Sequence, residues 1–167
     1  MDFVSDSLTN GRRIKCFIEA DKFSQECVDI AVDYGIDSQY VTRLLDQAAL
    51  FRGYPDVVRT DNGPEITSRT FMGWAQSHGN RNILIEPSRP MQSGYIESFN
   101  GKFRHECLND HWLETLPQTR ATIAAWRQDY NEVRPHSSCR RMPPAKFAAM
   151  HRQNSTDAKQ HSTERIL

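Results

Sequence analysis

The sequence predicts an α/β fold: one five-stranded mixed sheet flanked by helices, with three antiparallel strands followed by β-α-β-α order. Three observations predict it. The first 32 residues hold three short runs of strand character joined by only a few residues each, the spacing of an antiparallel meander. From Ser38 to Phe51 the pattern changes to helical spacing, with Val41, Leu44, Leu45 and Ala48 on one face. Beyond that, two brief strand-like runs, PDVVRT and ILIE, flank a second amphipathic stretch, as in a parallel β-α-β unit.

Met1 to Ser5 reads as the opening strand. Thr9-Asn10-Gly11 is a turn signal, and in RRIKCFIEAD the residues Ile14, Cys16 and Ile18 alternate with their neighbours as in a half-buried strand. Cys27 to Val32 gives the third. Ser38 is the expected N-cap of the first helix, where a side-chain oxygen satisfies free N–H groups, and Gly53 is its stop. Pro55 to Thr60 reads as a buried strand that ends where Asp61-Asn62-Gly63-Pro64 forces a turn. Ser68 to His78 forms a second helix with Phe71, Trp74 and Ala75 inward, and Ile83 to Glu86 the fifth strand. Pro87 and Pro90 break the chain into a loop before a helix whose apolar stripe is Ile96, Phe99, Phe103 and Cys107. Pro117 to Val133 is a further amphipathic helix carrying Ile123, Trp126, Tyr130 and Val133, ended by Arg134-Pro135-His136. Trp74 and Trp126 are read as core residues. PPAKFAAM makes a short last helix with proline in its first turn.

A chain of 167 residues fits one domain with room for a core, and 8 Phe, 5 Tyr and 3 Trp exclude disorder over most of its length. No apolar run approaches the roughly 20 residues that span a bilayer, and no signal peptide opens the chain, so a cytoplasmic protein is expected. Cys16, Cys27, Cys107 and Cys139 form no C-x-x-C and no zinc spacing; buried thiols are expected, without disulfides or structural zinc. Net charge is zero, but residues 1–66 hold 7 basic and 12 acidic side chains against 14 and 9 in the remainder. The first part suits metal ions and the second phosphates.

Two acids stand out. Asp61 falls at the carboxyl end of a strand, where open α/β sheets place ligands. Glu97 lies on the Phe-striped helix, together with Asn100 and Arg104 on a polar face about a quarter-turn from the stripe. An adjacent strand should contribute a third carboxylate, and Asp2 in MDFVS is the candidate.

Asp2, Asp61 and Glu97 at this spacing, the DNGPE turn, the ESFNGKFR helix, and YNEVRPHS followed by PPAKF resemble the DDE transposases. The set is most similar to the insertion-sequence transposases of the IS-three family (OrfB type), which share the retroviral integrase core. The resemblance runs from Asp2 to about Met150 and implies the ribonuclease-H-like fold that the element order also indicates. It implies a Mg²⁺-dependent polynucleotidyl transferase, with two Mg²⁺ (or Mn²⁺) ions held by Asp2, Asp61 and Glu97, that cuts and transfers DNA strands at element ends. Three carboxylates suit this chemistry because Mg²⁺ takes oxygen ligands. The implied partners are DNA, as terminal repeats and target, and further copies of the chain; the implied setting is the bacterial cytoplasm, with no membrane. Arg104 matches the family's basic position for phosphate, with Lys102, Asn100, Arg134 and His136 as further DNA-binding candidates. Asn62 and Gly63 shape the turn, and Glu65 caps or solvates the helix that follows.

The expected organisation is an integrase-like catalytic core over 1–112 with its first strand cut short, a C-terminal helical extension over 113–150, and a polar, frayed tail over 151–167. Ser93-Gly94 stands where the family usually has asparagine before a small residue, and either can cap the Glu97 helix. Cys139-Arg140 replaces a common Leu-Gly, which puts the last turn in question if positive φ is needed there. The resemblance also implies a DNA-binding, multimerising region ahead of the core. This chain opens one residue before Asp2, so Asp2 is expected to be frayed and metal affinity weakened. The alternative reading is an inactive transposase remnant acting only as a DNA- or protein-binding module.

Overall fold

The structure, a computed structural model, describes residues 1–60, 63–84 and 90–152, with backbone alone for 82–84 and 90–93. The chain opens with the expected meander: β1 (Asp2–Ser7), β2 (Arg13–Ala20) and β3 (Cys27–Asp33) pair antiparallel, Asp2 opposite Ile18 and Lys15 opposite Asp33. Gly11, at φ 80°, takes the left-handed position of the first turn, and the Asn10 side chain accepts the Arg12 N–H at 2.9 Å. On β2, Ile14, Cys16 and Ile18 enter one apolar cluster and Phe17 the other. The strand is therefore buried on both faces, not one, because helices cover both sides of the sheet.

Helix α1 (Ser38–Arg52) is capped by Asp37 and not by Ser38. The Asp37 carboxylate accepts the Tyr40 N–H at 2.7 Å, an anionic cap that also suits the helix dipole. Gly53 ends the helix at φ 75°. β4 (Val57–Thr60) and β5 (Arg81–Leu84) pair in parallel, and between them lie α2 (Pro64–Thr67) and α3 (Arg69–Ser77). The sequence reading had one helix here; Pro64 starts an extra turn that buries Ile66, and Ser68 breaks it and caps α3 through the Phe71 N–H at 3.1 Å. Part of the expected fifth strand, residues 85 and 86, lies outside the described residues.

Among the described residues the strands form a three-stranded sheet and a two-stranded sheet. One hydrogen bond joins them, from the Met1 ammonium to the Arg59 carbonyl at 2.8 Å, which brings the end of β4 to the start of β1. The mixed sheet thus meets along a single bond at this seam and not along a ladder.

One face of the meander carries α4 (Pro90–Phe103) and α5 (Leu116–Glu132). The expected stripe is borne out: Phe99, Phe103 and Cys107 are 1, 0 and 0 % exposed, and Ile96 is half-buried beside them. Fully burying a phenylalanine contributes about 1.5–3 kcal/mol, so this stripe fixes how α4 rotates on the sheet. α4 begins at Pro90, earlier than predicted, because proline is tolerated in a first turn; Ser93 and Gly94 are helical and do not cap. At Arg104–Leu108 the helix widens into a π turn, closed by the Asn109 N–H on the Arg104 carbonyl at 2.9 Å. The extra residue lets Cys107 and Leu108 both turn inward while Arg104 stays exposed. α1 and α3 cover the opposite face through Val41, Leu44, Phe71 and Trp74.

α5 also closes the outer edge of β3. The Asn131 amide accepts the Cys27 N–H at 2.9 Å and donates to the Cys27 carbonyl at 2.8 Å, as a neighbouring strand would. Arg127 and Arg120 donate to the Val28 and Val32 carbonyls. After α5, Arg140 and Arg141 both adopt left-handed backbone, φ 55° and 60°, so the position does require positive φ. The final helix nonetheless forms over residues 144–152, because His136 and Met142 brace the turn through the His136 N–H on the Met142 carbonyl at 3.1 Å. The tail beyond 152 lies outside the described residues.

All four cysteines are buried thiols. Burial pushes Cys16 and Cys107 up to about 12, which leaves neither as a thiolate nucleophile at neutral pH. Among the described residues no helix is long and apolar enough to cross a membrane.

Candidate active site

Asp2 is the first residue of β1, and its carboxylate is held at both oxygens. Oδ1 accepts the Phe3 N–H at 2.8 Å and Oδ2 accepts the Asn100 side-chain amide at 2.5 Å. The expected fraying is therefore not found, since these bonds and the Met1–Arg59 bond tie down the strand's start. Further along, Arg104 Nη2 donates to the Ser5 carbonyl at 3.3 Å. The two contacts lay the polar face of α4 along β1. Glu97 is exposed on that face, one helical turn before Asn100, about 4.5 Å along the axis. Asp61 and Asn62 lie outside the described residues; they follow Thr60, a buried residue that ends β4.

The side chains present suit a hard divalent cation. Asp2 and Glu97 offer only oxygen, and an ionised carboxylate has about four lone-pair sites, of which the two hydrogen bonds on Asp2 use two. Among the described residues no three His, Cys, Asp or Glu side chains cluster as a metal site; Asp61 is not among those residues. Asn100 carries a feature of its own: its Oδ1 is buried and finds no partner among the described residues.

The basic candidates divide. Lys102 and Arg104 are exposed on α4. Asn100, read from the sequence as a DNA contact, instead gives its amide to Asp2. Arg134 is paired twice, with Asp129 and with Glu106 on the π turn. His136 packs edge-on against Tyr130 at 4.5 Å between centroids, its Nε2 buried, and burial followed by the Lys102 ammonium holds its imidazole below the usual range. Glu65, expected to cap or solvate a helix, reaches 50 residues back to pair with Lys15 on β2. Sequence reasoning also missed Asn131 as the strut on β3 and Glu19 as a buried acid. Only the N-E-V-R-P run hinted at the first, and nothing in local pattern marked the second.

Two family profiles, both described as integrase core domain, match residues 1–90 and 78–144. An insertion element IS476 protein of Xanthomonas euvesicatoria, described as an uncharacterized 39.2 kDa protein, is 65% identical over 152 residues, covering 91% of this chain and 44% of its own length. An insertion element IS407 protein of Burkholderia multivorans, described as an uncharacterized 31.7 kDa protein, is 59% identical and is covered over 55% of its length. The chain spans about half the length of the curated relatives it matches. Among solved structures, the HTLV-2 integrase catalytic core domain in complex with magnesium superposes with a TM-score of 0.66 at 18% identity, over 87% of this chain and 94% of that one. The integrase of a simian T-cell lymphotropic virus intasome, solved with the PP2A regulatory subunit B56 gamma, gives 0.73 at 19% identity, over 87% and 51%. These likenesses establish the ribonuclease-H-like fold, and with the profile that covers more than half of its length, the chain belongs to the integrase core domain family, the family of insertion-sequence transposases and retroviral integrases.

Proposed function

We propose that the chain is the catalytic core of a DDE transposase, a Mg²⁺-dependent polynucleotidyl transferase acting on DNA at insertion-sequence ends. The observation that carries this reading is the Asn100–Asp2 hydrogen bond, which docks the helix face bearing Glu97 onto the strand that opens with Asp2. Asp61 is one peptide link, about 3.8 Å between Cα atoms, beyond Thr60. The strand that Thr60 ends meets β1 through the Met1–Arg59 bond.

In this reading Asp2, Asp61 and Glu97 would hold two Mg²⁺ or Mn²⁺ ions, which when bound supply positive charge at the scissile phosphate and activate the attacking oxygen. Asn100 fixes the orientation of Asp2, so the carboxylate needs no reorganisation when substrate arrives. Arg104 spends one donor on Ser5 and keeps the rest of its planar fork for a DNA phosphate, with Lys102 as a second cation nearby. Arg134 and His136 serve as struts between α5 and the end of α4, which their ion pairs and ring contact favour over DNA contact. The catalytic unit is residues 1–112 together with the helical extension 113–150, since Trp126 and Tyr130 of α5 share a core with β1 and α4. Terminal repeats and target DNA are the proposed substrates, in the bacterial cytoplasm, and further copies of the chain the proposed partners. The HTLV-2 core, solved in dimeric and trimeric forms, supports the last point by analogy.

The test is a strand-transfer assay with Mn²⁺ and a pre-cut element end. Transfer is expected, and Glu97→Gln should reduce it more than about 100-fold at unchanged unfolding free energy. A folded chain that neither transfers strands nor binds Mn²⁺ would end the reading.

A further inference from the structure

A cavity of about 760 Å³ lies where β1 begins. Its wall takes in Met1, Glu19 and Ala20 at the end of β2, Val57 of β4, Ala48 of α1 and Tyr95 of α4. The neighbours of β1 run on past its first residue. Glu19 and Ala20 follow Ile18, the partner of Asp2, and β4 extends back to Val57, two residues before the carbonyl that accepts the Met1 ammonium. Backbone groups two residues apart on a strand point the same way. The Asp56 carbonyl accepts from Arg81 on the β5 side and that of Arg59 accepts from Met1 on the other, so Val57 turns its N–H and C=O toward the cavity. A strand edge thus forms one wall of a slot within the sheet.

An independent observation is Glu19. It is 4% exposed, it lines the cavity, and its Oε1 has no hydrogen-bond partner. Burial, then the neighbouring Asp29, push its carboxyl up to about 7. An unpaired buried oxygen of this kind costs about 1–3 kcal/mol, which a donor entering the slot would recover. The two faces of the slot are apolar, Leu45 and Ala48 of α1 on one side and Tyr95 and Ile96 of α4 on the other. A strand covered on both faces reads as a continuous apolar run. At the rim Phe51 is 90% exposed and lengthens the apolar contact.

We infer that this slot binds an extended apolar segment of a partner polypeptide, which adds as a strand beside β4 and brings a hydrogen-bond donor to Glu19. Main-chain bonds to Val57 supply part of the affinity and the flanking pockets select the side chains, as in other strand-addition sites. The inference does not depend on the transposase reading, because none of its residues is placed in the proposed metal site.

The test is a titration of the ¹⁵N-labelled chain with the capped peptide acetyl-Ile-Trp-Val-Ser-amide, alongside the same peptide with methylated backbone nitrogens. Saturable binding is expected with a Kd on the order of 1 mM or tighter, with shifts at the Val57 and Glu19 amides. Backbone methylation should weaken it at least tenfold, as should Ala48→Trp, which fills the slot. Glu19→Leu, which removes the acceptor and keeps the volume, should weaken it several-fold. Absence of saturation up to about 10 mM overturns the proposal. Equal binding of the methylated peptide also overturns it, because the cavity then takes apolar matter without strand pairing.

Discussion

Replacing Asn100 by leucine separates a residue kept for stability from one kept for function. Its amide donates to Asp2 at 2.5 Å, and a hydrogen bond to a charged group contributes about 1.5–3 kcal/mol. The same side chain buries an Oδ1 that has no partner among the described residues, at a cost of about 1–3 kcal/mol. Leucine has a similar shape and loses both effects together. The two cancel to within about 1 kcal/mol, so urea unfolding of Asn100→Leu should show a nearly unchanged midpoint and an unchanged slope. Asp2 loses the bond that orients it, and a loosened ligand of this kind weakens metal affinity or activity about 10–100-fold. Mn²⁺ titration and strand transfer measure that loss. A variant destabilised by more than about 3 kcal/mol with Mn²⁺ affinity intact would refute the reasoning, since Asn100 would then be a packing residue.

Three other expectations follow from the same structure. Asn131→Ala leaves the Cys27 N–H and C=O buried without partners, and should cost about 2–5 kcal/mol in urea unfolding, far more than removing an exposed polar residue. Arg140→Gly relieves left-handed backbone at φ 55°, offset partly by the freer unfolded chain, and should raise stability by about 0.5–1 kcal/mol. Glu19 makes stability pH-dependent: its carboxyl is raised from 4.5 to about 7 in the folded chain, which keeps a proton the unfolded chain has lost. The contribution is full below about pH 4.5 and is lost as pH rises through about 7, about 3 kcal/mol in all, and Glu19→Gln should flatten that slope in unfolding measured from pH 4 to 8.

Much of the fold was legible because its signals are local. The period-2 pattern of Ile14, Cys16 and Ile18 and the stripe of Phe99, Phe103 and Cys107 each lie within one segment, and each entered the core as its period required. Errors arose where neighbouring residues compete. Asp37 outbid Ser38 as a cap, and Pro90 began α4 early. The π turn escaped because one added residue in a helix leaves no mark in composition.

For the site, the sequence alone determined which side chains could do the chemistry: carboxylates at Asp2, Asp61 and Glu97, and cations beside the last of them, named by residue type, order and spacing. Tertiary structure alone decided which groups are occupied. Asn100 holds Asp2 from 98 residues away, Lys15 holds Glu65 across 50, Arg134 is consumed by Glu106 and Asp129, and Glu19 lies under α1 with one oxygen unpaired. The physical reason is range. Periodicity records which way a side chain faces within its own element, whereas a hydrogen bond between elements depends on their relative register to within a few tenths of an ångström.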